Sequence, residues 1–151
     1  GIPVFVASTA ARSPEIYSNE ILEALKSYQV DLVVMAGFIK KYVPTVNDLP
    51  TINIHPSLLP SFGGKGMYGR NVHQAVKNYG CKLAGCTVHF VSEEYDTGPI
   101  IAQESIAVSH DDSVEQIEIN VQALEKKVLI KTLIKFTEGK ISLENRTVTV
   151  L

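Results

Sequence analysis

The sequence holds only two cysteines, Cys81 and Cys86. That is too few for a disulfide framework or a four-cysteine metal site. A reduced, cytoplasmic setting is therefore expected. No apolar run approaches the ~20 residues that cross a bilayer, and no secretory leader pattern opens the chain. No block of like charge stands out, and the formal net charge is only -2. Neither a nucleic acid nor a membrane is expected as a partner. The glycine-rich phosphate turn that usually follows the first strand of a nucleotide-binding fold is also missing. What is present is an ordinary globular composition, 45% hydrophobic and 20% charged over 151 residues. This reads as a single domain spanning residues 1–151.

The pattern along the chain alternates. Gly1–Ala7 (GIPVFVA) reads as a short buried strand. Ser13-Pro14 reads as an N-cap and first-turn pair, opening a helix with a stripe of Ile16, Ile21, Leu22, Leu25 and Tyr28. Val30–Ala36 and Ile52–His55 read as further strands. Strands alternating with helices at this spacing predict parallel, right-handed crossovers. The second half differs. A glycine-rich loop, GGKGMYG, precedes a short helix over 71–79 with Val72, Ala75 and Val76 inward. Two β-runs, 83–92 and 99–108, are separated by a gap too short for a parallel crossover, so they should pair antiparallel. Asp112-x-x-Glu115 has the form of a capping box. It leads into a long helix whose apolar side is Val114, Ile117, Val121, Leu124, Val128 and Leu133. The segment 141–151 closes the chain as a strand or tail.

Chemistry concentrates in TINIHPSLLPSF, residues 51–62. Asn53 and His55 are two apart on a strand and so point the same way. They sit at a strand end facing an irregular, proline-bearing loop, where open α/β sheets bind ligands. An amide and an imidazole there suit stabilisation of an oxyanion. The plainer alternative is a strand end with satisfied polar groups. Glu93-Glu94-Tyr95-Asp96 is either a solvated acidic turn or the source of a carboxylate that orients His55 and raises its pKa. Asp96 is the candidate because the rigid Thr97-Gly98-Pro99 follows it. Cys86-x-x-His89 lies within a strand, where i and i+3 face opposite sides, so a metal site is not expected. His73 and His110 read as structural or surface histidines.

NIHPSLLPSF, VHQAV and AGCTVHFVSEEYDTGPIIAQ together resemble the phosphoribosylglycinamide formyltransferase family, folate-dependent enzymes of purine synthesis. The resemblance runs over about residues 1–138. It implies a Rossmann-like formyltransferase sheet, mostly parallel, with an antiparallel hairpin toward the C-terminus. It also implies that the chain lacks the family's first strand-helix units, including the turn that binds the substrate phosphate. By resemblance the catalytic trio falls on Asn53, His55 and Asp96. The folate, 10-formyltetrahydrofolate, would be bound by Ile39, Lys40, Lys41 and Tyr42, by Asn53, and by Val91, Glu93 and Glu94. Glycinamide ribonucleotide would be held by Pro56, Gln122 and Glu125. No metal is implied, and the assembly expected is a monomer or homodimer.

The implied reaction is one-step formyl transfer from the folate to the substrate amine. Protonated His55 and the Asn53 amide would stabilise the oxyanion, and Asp96 would keep His55 charged. The rival reading is formyltetrahydrofolate deformylase, a hydrolase with a similar trio; it tends to have His-His-Ser-Phe-Leu-Pro where this chain has His55-Pro56-Ser57-Leu58-Leu59-Pro60. A non-catalytic fragment of such an enzyme is the other alternative.

Overall fold

The computed structural model describes residues 1–43 and 49–151. Its elements are α1 (Pro14–Ser27), β1 (Val33–Met35), β2 (Thr51–His55), α2 (Arg70–Tyr79), β3 (Leu83–Phe90), β4 (Ile100–Ala107), α3 (Val114–Thr137), β5 (Ile141–Glu144) and β6 (Thr147–Val150). The main sheet has the order β1-β2-β3-β4. β1 and β2 run parallel, as their crossover spacing predicts. β2 and β3 are antiparallel, and so are β3 and β4. The α/β architecture and the antiparallel β3–β4 pair match the expectation, but the sheet is mixed rather than mostly parallel: among the described residues only β1 and β2 run parallel.

α3 packs along β3 and β4 and beside α2. Ile117, Val121 and Val128 are the fully buried members of its predicted stripe. They join Ile52, Ile54, Val76, Cys86 and Val88 in the core. Burial of each such side chain contributes about 1.5–3 kcal/mol. Because Ile52 and Ile54 are committed to this core, the alternation of β2 sends Asn53 and His55 to its other side.

Several local expectations are corrected. Gly1–Ala7 forms no strand, and Ile2 and Val6 are 92% and 82% exposed. A β-prone sequence gains a strand only where a neighbour completes its hydrogen bonds, and no described residue pairs with it. α1 begins at Ser13-Pro14 as predicted, but its inner face is rotated. Tyr17, Ser18 and Leu22 are buried, while Ile16 and Tyr28 are exposed. The reason is polar: the Tyr17 hydroxyl donates to the Lys41 carbonyl, and the Ser18 hydroxyl accepts from Val43 N–H at 3.1 Å. The helix cap is one residue later than read. Ser113 Oγ caps α3 by accepting from Gln116 N–H at 3.0 Å, whereas the Asp112 carboxylate accepts from Ser109 N–H at 2.8 Å. The segment 141–151 is a β5–β6 hairpin rather than one strand. Its turn residue Arg146 reaches back to donate to the Thr97 carbonyl at 2.7 Å.

Candidate active site

The parallel pairing of β1 and β2 sets Met35 beside Asn53. The antiparallel pairing of β2 and β3 sets His89 beside Asn53 and Thr87 beside His55. The chain then leaves β2 at His55 into the loop 56–69. Leu58 lies so close over Gly85 of β3 that a Cβ there would stand 2.7 Å from its Cδ2 and 2.3 Å from the Glu104 carbonyl oxygen. The loop returns over His55, which is 4% exposed. Its Nε2 donates to the Phe62 carbonyl at 2.9 Å.

The turn between β3 and β4 brings in Asp96, across the 41 positions that separate it from His55 in sequence. Its Oδ1 lies 3.5 Å from His55 Nδ1 and 3.7 Å from His89 Nε2. Its Oδ2 accepts from Gly64 N–H at 2.8 Å. Asp96 adopts φ +57°, a left-handed conformation uncommon for a residue with a Cβ. The turn is held around it. Thr97 Oγ1 lies 2.9 Å from Ser92 Oγ and donates to the Glu94 carbonyl at 3.2 Å, and Arg146 holds the Thr97 carbonyl.

His89, read from the sequence only as an improbable metal partner, is a full member of the constellation. Its Nδ1 lies 2.8 Å from the Phe90 carbonyl and must donate to it. In the neutral ring, Nε2 is then an acceptor, and the Asn53 amide nitrogen donates to it at 3.3 Å. The Asn53 amide is thereby oriented with its second N–H unspent. A register shift between Val88 and His89 aims the ring there, which strict alternation along β3 could not have shown.

The electrostatics follow from burial and contact. Burial of His55 disfavours its imidazolium and brings its pKa below the ordinary value, outweighing the Asp96 carboxylate and the Phe62 carbonyl, which both push it up. The expected rise is therefore corrected: the carboxylate acts in the expected direction, but desolvation is larger. Burial of Asp96 acts to raise its pKa, yet the neighbouring His89 and His55 rings and the hydrogen bond from Gly64 N–H hold it below the usual carboxylate range. Only the imidazolium can donate to both the Phe62 carbonyl and Asp96. Any ligand that brings negative charge to the ring favours that state.

Two cavities meet at these residues. One, of about 560 Å³, is lined by Asn53, His55, Pro56, Asp96, Gln122 and Glu125, among others. The other, a narrow cleft of about 60 Å³, is lined by Lys40, Lys41, Tyr42, Val91, Glu93 and Glu94 and again by Asn53 and Asp96. The structure thus brings together the residues that the resemblance assigns to the site, with Ile39 on the larger cavity rather than the cleft. Gln122 and Glu125 flank the packed face of α3 and reach the cavity. Desolvation alone pushes the Glu125 carboxyl up to about 7. His73 also lines the larger cavity. Its Nδ1 is buried with no hydrogen-bond partner among the described residues. Nothing in the spacing of VHQAV marked it as more than a structural histidine.

The profile of the family described as formyl transferase matches residues 1–133. The chain is 42% identical over 146 residues to the chloroplastic phosphoribosylglycinamide formyltransferase of Arabidopsis thaliana, covering 93% of this chain and 50% of that protein. Among solved structures, glycinamide ribonucleotide transformylase 1 from Symbiobacterium toebii superposes with TM-score 0.84 at 36% identity, over 94% of this chain and 66% of that one. A formyltetrahydrofolate deformylase from Pseudomonas syringae superposes with TM-score 0.79 at 31% identity, over 99% of this chain and 50% of that one. The chain spans about half the length of the curated relatives it matches first. No helix among the described residues is long and apolar enough to cross a membrane.

Proposed function

The chain belongs to the formyl transferase family, and from that premise we propose that it carries the catalytic part of an enzyme moving a formyl group from 10-formyltetrahydrofolate to the amine of glycinamide ribonucleotide. The observation that carries this reading is the junction of two cavities at Asn53 and Asp96. A transferase must bring two substrates to one carbon. The narrow cleft bounded by Lys40–Tyr42 and Val91–Glu94 offers polar and charged partners to the edge of a folate head, although at about 60 Å³ it does not enclose the whole of it. The larger cavity, with Gln122 and Glu125, suits a hydroxyl-bearing second substrate. A deformylase needs only water there, so a second cavity of this size favours the transferase.

The amine nitrogen attacks the formyl carbon and the carbonyl oxygen takes up negative charge. The second N–H of Asn53 donates to that oxygen, and so does the Nδ1–H of His55 in its imidazolium form, which enters the step already protonated and leaves it so. The 3.5 Å between His55 Nδ1 and Asp96 is at the outer limit of a hydrogen bond, so that proton can be shared. Developing charge raises the pKa of His55 and favours the imidazolium. Asp96, held ionised, accepts the amine proton directly or through one water and delivers it to the folate nitrogen as the carbon–nitrogen bond breaks. The products are the formylated amine and tetrahydrofolate, with atoms and charge balanced. Preorganised donors, rather than bond-making by the protein, supply the acceleration.

The test is product partition by the full-length protein in a single turnover. Formylated glycinamide ribonucleotide should appear in step with tetrahydrofolate, with little formate. Formate release at an equal rate without the amine would establish the hydrolase instead.

Glu125 yields a second expectation. With its carboxyl near 7, the form able to accept two hydroxyl hydrogen bonds appears as pH rises through that value. KM for glycinamide ribonucleotide should therefore fall between about pH 6 and 8, and Glu125→Gln should abolish that dependence. The same shift acts on stability. A carboxyl whose folded pKa is raised binds its proton more tightly when folded, so stability declines from about pH 4.5 upward through 7. Glu125→Gln should then raise Tm at pH 8 and leave it unchanged at pH 4. An unaltered KM profile in the variant would refute the substrate role.

A further inference from the structure

The loop after His55 is fastened to the sheet by two side chains that do not line the cavity holding His55: Thr87 of β3 and Gln103 of β4. Thr87 Oγ1 donates to the Ser57 carbonyl at 2.7 Å. It accepts from Leu59 N–H at 3.0 Å and from Gln103 Nε2 at 2.9 Å. One donation and two acceptances exhaust a hydroxyl. Gln103 Nε2 spends its other hydrogen on the Leu59 carbonyl at 2.9 Å. Ser57 Oγ then donates to the Ser61 carbonyl at 2.6 Å, one residue before Phe62. The polar groups of this non-repetitive segment are thus tied, step by step, to two strands.

At the end of the chain of bonds stands the Phe62 carbonyl, the acceptor for His55 Nε2. A histidine ring has two nitrogens at fixed geometry, so holding Nε2 on a fixed acceptor also fixes where Nδ1 points. Here Nδ1 points at Asp96. We propose that Thr87 and Gln103 are positioning residues for His55: by clamping Ser57–Leu59 they hold the Phe62 carbonyl on Nε2 and so aim Nδ1 at Asp96 and at the reacting oxygen. The kinetic part of this proposal rests on the formyl-transfer reading; the geometric part does not.

The two residues offer complementary tests. Thr87 is fully buried, so Thr87→Val, of nearly equal shape, removes the bonds but costs stability by stranding the Ser57 and Leu59 groups. Gln103 is exposed on one side, so Gln103→Met should fold like the parent. Thr87→Ser keeps the hydroxyl and serves as the rescue. The titratable groups around His55 are Asp96 and Tyr95 from the β3–β4 turn, His89 from β3, Lys65 and Tyr68 from the loop 56–69, His73 from α2 and Glu125 from α3, and none of them is altered. Misplacing a reacting group by about 1 Å costs on the order of 100-fold, so kcat should fall ~10–100-fold in Thr87→Val and Gln103→Met. KM for both substrates should stay within about twofold, and Thr87→Ser should recover most of kcat.

The second readout needs no substrate. In nitrogen-15 spectra of the ligand-free full-length protein, the His55 titration should move to lower pH in both variants, because a raising contact is loosened, and return in Thr87→Ser. An unmoved His55 titration in Gln103→Met overturns the proposal, whatever the activity. A moved titration with no formyl transfer by the parent leaves the clamp standing and removes the proposed function. Loss of thermal stability alone, with kcat and the titration unchanged, also overturns it.

Discussion

Asp96→Asn lowers kcat by ~100–1000-fold, the usual effect of removing a main transition-state stabiliser, while folate affinity changes little. The replacement keeps size and backbone and removes the charge. Asp96 makes three contacts here: the pair with His55 at 3.5 Å, the approach to His89 at 3.7 Å, and the acceptance from Gly64 N–H at 2.8 Å. The last survives through the amide oxygen, so the turn and the loop stay joined. What is lost is the carboxylate that offsets the desolvation of His55. The pKa of His55, already below its ordinary value, falls further. Activity that needs the imidazolium declines as pH rises through that pKa, so in the variant this decline begins at lower pH. Steady-state rates from pH 5 to 9 check both halves. Near-parental turnover at pH 7, or a limb that moves upward, would show that Asp96 has another role.

Gly98→Ala should be as damaging for a different reason. A Cβ on Gly98 would stand 1.7 Å from the Phe90 carbonyl oxygen and 2.7 Å from its carbon. Both are backbone atoms, so no side-chain rotation relieves the clash. The neighbouring bond from Phe90 N–H to the Pro99 carbonyl, 2.8 Å, must open. The Phe90 carbonyl would also leave His89 Nδ1, freeing the ring that orients Asn53. Overpacking of this kind costs roughly 1–3 kcal/mol and sometimes more, and displacement of Asp96 by about 1 Å adds on the order of 100-fold in kcat. Urea unfolding and the rate of the folded fraction separate the two effects. A variant of parental stability and rate would mean that the turn has slack the structure does not show.

The residues around this turn also show what the sequence can and cannot disclose. Asn53 and His55 were legible because a strand's alternation fixes their common direction and the prolines after them fix the strand's end. Asp96 was legible as a carboxylate in a rigid turn, though not its distance to His55, which depends on tertiary pairing. His89 was not legible. Its place beside Asn53 follows from the register of β2 on β3 and from a shift in the β3–β4 ladder, neither of which leaves a local signature. The sign of the His55 shift was not legible, because burial by the loop 56–69 is a property of the folded chain. The Phe62 carbonyl could not be read at all, since every residue has one. Gly1–Ala7 shows the converse: a clear β pattern is not a strand without a partner to complete its ladder.

The most direct test is the pKa of His55 measured by nitrogen-15 spectroscopy, free and bound to a folate analogue whose electron-poor ketone forms an ionised hydrate, an anionic mimic of the tetrahedral adduct. The free ring should titrate below about 6.5, as its burial dictates. In the complex, negative charge beside Nδ1 should raise that pKa by at least about one unit, and Asp96→Asn should erase most of the rise. A pKa that stays below 6.5 in the complex would contradict the account, because no imidazolium would then be present to meet the oxyanion.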